Sequence, residues 1–265
     1  MALTTDSSSD SLVKSELVSS GVLLLKLNRP DKLNALSRAL LASLATFLES
    51  AGRNDEIRCI VLTGGEKAFS VGADIRELAE NGVAAYQDPE RQKYWRVVER
   101  FPKPIIAAVR GYALGGGCEL VMLCDIALAG ESAKFGQPEI TIASIPGDGG
   151  TQRLPRFVGK SQAMQMILTG TTFTAQQMKE GGLVSEVLQD EVVVERAMEL
   201  ARRIADLPLM AMKLAKAAVL AAYELPLSEG LIREQALTVQ TFSTEDRAEG
   251  LAAFFEKRAP HFKGR

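Results

Sequence analysis

Apolar residues follow two rhythms along this chain. In the first half, short and nearly continuous apolar runs stop at turn residues: GVLLLKLN (21–28), IRCIVLTG (57–64), KPIIAAVRGYA (103–113) and CDIALAG (124–130). Runs of this length and composition predict strands buried on both faces. Between the first two, LSRALLASLATFLESA (36–51) repeats leucine or its equivalent at helical spacing and predicts a helix. Strands that alternate with helices imply crossover connections and a mostly parallel sheet. The pattern alone suggests a doubly wound sheet. From about residue 160 the rhythm is helical nearly throughout, broken by a short strand candidate, LVSEVL (183–188). Helices predicted over 192–207 and 210–225 end before Pro208 and Pro226, and two more follow. Their wide Ala- and Leu-rich faces need a partner, either the α/β core or another subunit.

Composition narrows the function. The 265 residues are 46% apolar and 24% charged, with 31 basic against 33 acidic side chains. That balance gives no global reason to expect nucleic acid or an anionic membrane as partner. Residues 1–15 are polar and serine-rich, without the apolar core of a secretory signal or the arginines of a presequence, and predict a flexible tail on a cytoplasmic protein. No apolar run is long enough to span a bilayer. Cys59, Cys118 and Cys124 lie in apolar surroundings and predict buried free thiols in a reducing compartment. The one histidine, His261, lacks ligand-like neighbours, which sets aside a Cys/His metal site and a Ser-His-Asp triad.

Three stretches carry candidate chemistry. In GYALGGGCEL (111–120) an apolar strand runs into three glycines and then a helical pattern. The first N–H groups of a helix have no intrahelical partner, and glycine lets a ligand approach them. Such donors suit a carbonyl oxygen that becomes negative, and Glu119, three residues after Gly116, shares its helix face. The spacing fits neither a dinucleotide fingerprint nor a phosphate loop. In TGGEKAFSVGADIREL (63–78), Asp74 reads as a helix N-cap with Glu77 as its capping-box partner, leaving the Ala73 N–H outside the helix and free to face a cleft. In AKFGQPEITIASIPGDGGTQRL (133–154), Glu139 sits in an apolar setting that would raise its pKa enough to carry a proton near neutrality. Each stretch alone also has an ordinary reading: tight helix–sheet packing, a strand-to-helix connection, a paired or exposed carboxylate.

Together with LNRPDKLNAL (27–36), KPIIAAVRGYALGGGCEL (103–120), PGDGGTQRLPRFVGK (146–160) and the ending EDRAEGLAAFFEKRAPHFKGR, these stretches resemble the crotonase, or enoyl-CoA hydratase/isomerase, family over residues 16–265. The resemblance implies a ββα spiral core over 16–200, after the tail, and a helical C-terminal trimerisation region over 201–265. It implies a homotrimer or dimer of trimers. It maps the family's oxyanion-hole amides onto Ala73 and Gly116, and its two hydratase glutamates onto Glu119 and Glu139. Family isomerases often keep only the second glutamate, so the pair favours hydration of trans-2-enoyl-CoA to 3-hydroxyacyl-CoA in fatty-acid β-oxidation or related catabolism. The alternatives are hydration of 2,3-dehydroadipyl-CoA in aromatic-acid catabolism and Δ3,Δ2-enoyl-CoA isomerisation. Some members bind RNA, against which the balanced charge argues. Coenzyme A, part of the substrate, would meet Ala73, Asp74, Ile75, Arg76 and Gly116, with Phe254 and Lys257 reaching it from a neighbouring subunit. Gly147 would line the water and acyl pocket. No metal and no separate cofactor is implied. Asp148 departs from the family, where alanine is frequent, and would either contact the acyl chain or face solvent.

Overall fold

The computed structural model describes residues 11–265. Strands β1 (Val13–Ser19) and β2 (Val22–Leu27) precede helix α1 (Arg38–Arg53). Then come β3 (Cys59–Thr63), β4 (Ala68–Ser70) and helices α2 (Ile75–Asn81), α3 (Val83–Gln87) and α4 (Pro89–Glu99). The next turn of chain holds β5 (Ile105–Val109), β6 (Tyr112–Leu114) and α5 (Gly116–Leu123). It is followed by β7 (Ile126–Gly130), β8 (Lys134–Gly136) and the long α6 (Gly150–Thr169). The chain closes with β9 (Phe173–Thr174), α7 (Ala175–Gly181), β10 (Glu186–Leu188), α8 (Val193–Ala205), α9 (Leu209–Ala221), α10 (Leu227–Thr241) and α11 (Glu245–Glu256).

The six-stranded sheet runs β1-β2-β3-β5-β7-β10 and is parallel except for the β1–β2 pair. A second sheet runs β4-β6-β8-β9, parallel through β8. Each of β3, β5 and β7 passes directly to a three-residue strand in the other sheet and then to helix, so the chain winds as successive ββα units. This is the spiral that the resemblance implies, and it replaces the single doubly wound sheet that the pattern suggests. Three-residue strands are too short to show a period. The run 103–113 reads as one strand, yet it turns a corner at Gly111, whose φ is +61°. A Cβ there would land on the Lys67 carbonyl oxygen, the atom that accepts from Tyr112 N at 3.1 Å.

The central strands are buried on both faces, as their continuous apolar runs require. On one face Ile60 and Leu62 pack in one core with Leu40, Leu44 and Leu48 of α1 and with Trp95 of α4. On the other, Val61, Ile106 and Leu128 meet the small-residue stripe Ala197, Ala201 and Ala205 of α8. The expected tail does not extend to residue 15. Residues 1–10 lie outside the described residues, but Val13, Lys14 and Ser15 pair with Leu27, Lys26 and Leu25, and Val13 is fully buried. All three cysteines are free and buried. Among the described residues no helix is long and apolar enough to cross a membrane. Apolar residues of α9–α11, including Leu231, Ile232, Phe254 and Phe255, and Phe242 just after α10, stay exposed in the single chain.

Gly111→Ala should lower the unfolding free energy by ~2 kcal/mol or more, because both the positive φ and the Lys67 carbonyl resist a Cβ. Urea denaturation with an unchanged m-value would register it.

Candidate active site

Backbone segments 70–73 and 114–117 lie against each other at the wall of a cleft of about 600 Å³. Glycine makes the approach possible. A Cβ on Gly72 would sit 2.7 Å from Leu114 O and 3.0 Å from Gly116 N, and one on Gly117 would strike the Ser70 carbonyl. Several amides around the cleft are engaged. Val71 N donates to Leu33 O at 3.2 Å, Gly72 N to Ser70 Oγ at 3.2 Å, and Gly115 N to Gly136 O at 2.9 Å. Among the described residues, Ala73 N and Gly116 N have no acceptor. Gly116 is the first residue of α5, where no intrahelical acceptor exists. Both residues line the cleft, and a Cβ built on Gly116 would lie 3.6 Å from Ala73 N.

Glu119 and Glu139 line the same cleft. Glu119, on the first turn of α5, is 1% exposed. Its Oε1 accepts from Asp148 N at 2.8 Å and from Gly150 N, the first residue of α6, at 2.7 Å. Burial, with the Asp148 charge as the next contribution, raises its pKa to about 7 despite those donors. Glu139 stands in a single 3-10 turn, Pro138–Ile142, and burial raises its pKa as well. With its amide nitrogen turned toward the acid, the fully buried Gln137 donates to both Glu139 oxygens at 3.2 Å. Two unengaged amides beside two carboxyls of raised pKa suit a reaction in which a carbonyl oxygen gains negative charge while protons move near neutral pH.

The other expected contacts divide. Ile75 and Gly147 line the cleft; Arg76 is exposed and lies outside the lining. Asp74 caps α2 as expected, accepting from Arg76 N at 3.1 Å, and pairs with Arg29 at 2.7 Å. Its capping-box partner is corrected: Glu77 instead accepts from Arg38 N at 2.9 Å, capping α1 across the cleft wall. Phe254 and Lys257 are exposed near the end of α11 and do not line this chain's cleft. Asp148 does line it, but its carboxylate is clasped by Arg91. Arg91, Tyr86, Gln137 and Gly150 are site residues that the motif reading gives no role. Arg91 sits in a polar helix pattern, where only Trp95 four residues on hints that this face is covered.

Comparison with known proteins identifies relatives of the chain. The enoyl-CoA hydratase/isomerase family model matches residues 18–265. A 2,3-dehydroadipyl-CoA hydratase of Escherichia coli K12 is 48% identical over 92% of this chain and 96% of its own. A mitochondrial enoyl-CoA hydratase of Pongo abelii is 48% identical over 91% of this chain and 83% of its own. The crystal structure of an enoyl-CoA hydratase from Bacillus anthracis superposes with a TM-score of 0.91 at 41% identity, covering 96% of this chain and 100% of that one.

Proposed function

The chain belongs to the enoyl-CoA hydratase/isomerase family, and on that premise we propose that it hydrates trans-2-enoyl-CoA thioesters to 3-hydroxyacyl-CoA in fatty-acid β-oxidation or a related catabolic route. The observation that carries this reading is the meeting of two acceptor-free amides and two glutamates in one cleft. The thioester oxygen accepts hydrogen bonds from Ala73 N and Gly116 N. Each such donor is worth ~3 kcal/mol to the transition state. Withdrawal of charge onto that oxygen makes the β-carbon electrophilic. A water held between Glu119 and Glu139 attacks it; Glu119 orients the water and takes its proton, and Glu139 delivers a proton to the α-carbon. The N–H donors at the start of α6 favour the ionised form of Glu119 against the opposing effect of burial. No cofactor takes part, because coenzyme A is carried by the substrate. An isomerase needs one proton-transfer carboxylate; a second, with donors of its own, favours hydration.

In this reading the coenzyme A follows residues 73–76, and Phe254 and Lys257 reach it from a neighbouring subunit of a trimer or dimer of trimers. The exposed apolar faces of α9–α11 supply the contact. The free, buried thiols fit a reducing compartment such as the cytoplasm.

The relative named for 2,3-dehydroadipyl-CoA gives a second reading of the acyl group. The cleft lining argues for the neutral chain. Among the described residues no lysine or arginine lines it, and Arg91 just behind it is already paired. A terminal carboxylate buried there would lack a counter-charge.

Glu119→Gln and Glu139→Gln should each lower kcat by ~10²–10⁴ while a saturated acyl-CoA still binds within a few-fold of wild type; near-normal turnover in either variant refutes the proposed roles. Over a panel of 2-enoyl-CoA substrates, kcat/KM for a neutral straight chain should exceed that for the dicarboxylic chain of equal length by ~tenfold or more. Lys257→Ala should raise KM with little change in kcat. In sedimentation experiments the protein should run as a multiple of three chains.

A further inference from the structure

Beside the cleft lies a buried ion pair that this mechanism leaves unused. Arg91 enters from the first turn of α4, and Asp148 from the turn before α6. The guanidinium meets both carboxylate oxygens, Nη1 to Oδ1 at 2.8 Å and Nη2 to Oδ2. Each side chain is only 10% exposed. The guanidinium also stacks near Tyr86 and Trp95, 5.0 and 5.9 Å from their ring centres. Burying two charges carries a desolvation cost, so a fold seldom keeps such a pair for stability alone. What this pair holds is informative. The main chain of Asp148 donates to Glu119 Oε1, and its carbonyl accepts from Arg153 Nη1 at 3.1 Å. Gly150, two residues on, supplies the second donor to the same oxygen.

Resting on the hydratase reading, we propose that the Arg91–Asp148 pair is a positioning device for Glu119. It pins the 147–150 turn so that the Asp148 and Gly150 amides grip Glu119 Oε1, and its guanidinium offsets part of the carboxylate charge that bears on that glutamate. The charge is close enough to matter, since Asp148 ranks next after burial in raising the Glu119 pKa. The charged and titratable groups acting around Glu119 are Asp148 from the turn, Arg91 from α4, Tyr86 from α3, Glu139 from its 3-10 turn and Cys118 on its own helix. The N-terminus of α6 adds its partial positive charge. Arg153 touches the turn through the Asp148 carbonyl and, by its main-chain N–H, through the Gly149 carbonyl.

The test is the pH profile of kcat/KM, with KM, kcat and butyryl-CoA binding measured beside it. The active form carries one proton on the glutamate pair, so the profile is a bell. Arg91→Met leaves the Asp148 carboxylate unopposed, and both flanks of the bell should move up by about one pH unit. Asp148→Asn keeps the amide donor and leaves a lone cation, and both flanks should move down. The double variant removes both charges, and its flanks should return to within about half a unit of wild type. In Arg91→Met, kcat at neutral pH should fall ~tenfold or more, with butyryl-CoA affinity within about threefold. Arg91→Lys keeps the charge without the fork; its flanks should hold while kcat falls. If Arg91→Met does not fold, the downward shift in Asp148→Asn decides. Flanks that stay put in Asp148→Asn, shifts of the same sign in both single variants, or a loss of kcat matched by lost binding would overturn the proposal. Failure here leaves the hydratase reading standing so long as Glu119→Gln is inactive.

Discussion

The close contact between backbone segments 70–73 and 114–117 is the constraint on which the site depends. An amide kept free of any acceptor loses hydrogen-bond energy unless water or a ligand reaches it. The chain bears that cost at Ala73 and Gly116. Asn34, buried in a left-handed conformation (φ +57°), holds the end of β4 through bonds from Nδ2 to Ala68 O and Phe69 O, and its own carbonyl takes the Ser70 hydroxyl. Ser70 in turn satisfies Gly72 N, Leu33 O satisfies Val71 N, and Leu36 N occupies Gly72 O. With its neighbours fixed in this way, Ala73 cannot rotate its N–H into the fold. The LNRPDKLNAL stretch therefore acts as scaffold for a donor that it does not itself contain.

The same economy governs the acids. Glu119 is buried almost completely, which alone would favour its neutral form. The first amide of α6 and that of the preceding turn oppose this by stabilising the charged form. The result is a carboxyl raised only to about 7, within reach of either protonation state at neutral pH. Glu139 is less enclosed and has Gln137 beside it. Under the proposed hydration, two acids on different elements, each with its own local set of donors, would serve as proton giver and taker without moving the backbone.

Much of this was legible in the chain, and the reasons for the gaps are local. Strand runs at 21–28, 57–64 and 124–130 overlie β2, β3 and β7, because strands buried on both faces are continuous apolar runs. The four residues that converge on the cleft, Ala73, Gly116, Glu119 and Glu139, were readable from glycine placement, a cap and an isolated acid in apolar surroundings, then fixed by resemblance. The second sheet was invisible, since β4, β6 and β8 are three residues each. The Arg91–Asp148 pair was invisible for another reason. Fifty-seven residues separate its members, and beyond Trp95 four residues after Arg91 no local pattern marks either as buried. The Glu77 capping box failed because another amide, Arg38 N, competes successfully for that carboxylate.

That small second sheet is nevertheless what assembles the site. The spiral sets β4, β6 and β8 side by side in parallel, with Ala113 aligned against Ser70 on one side and Phe135 on the other. Parallel strands end at the same edge, and whatever follows each of them emerges there. Ala73 lies three residues past β4, Gly116 opens the helix after β6, and Glu139 lies in the turn after β8. Three successive windings thus deliver a donor, a second donor with its glutamate, and the other glutamate to one line. Separations of some forty and twenty residues in the chain become adjacency in space through the winding alone. The chemistry can then vary with the few residues beyond each strand end while the ladder that aligns them is left unchanged.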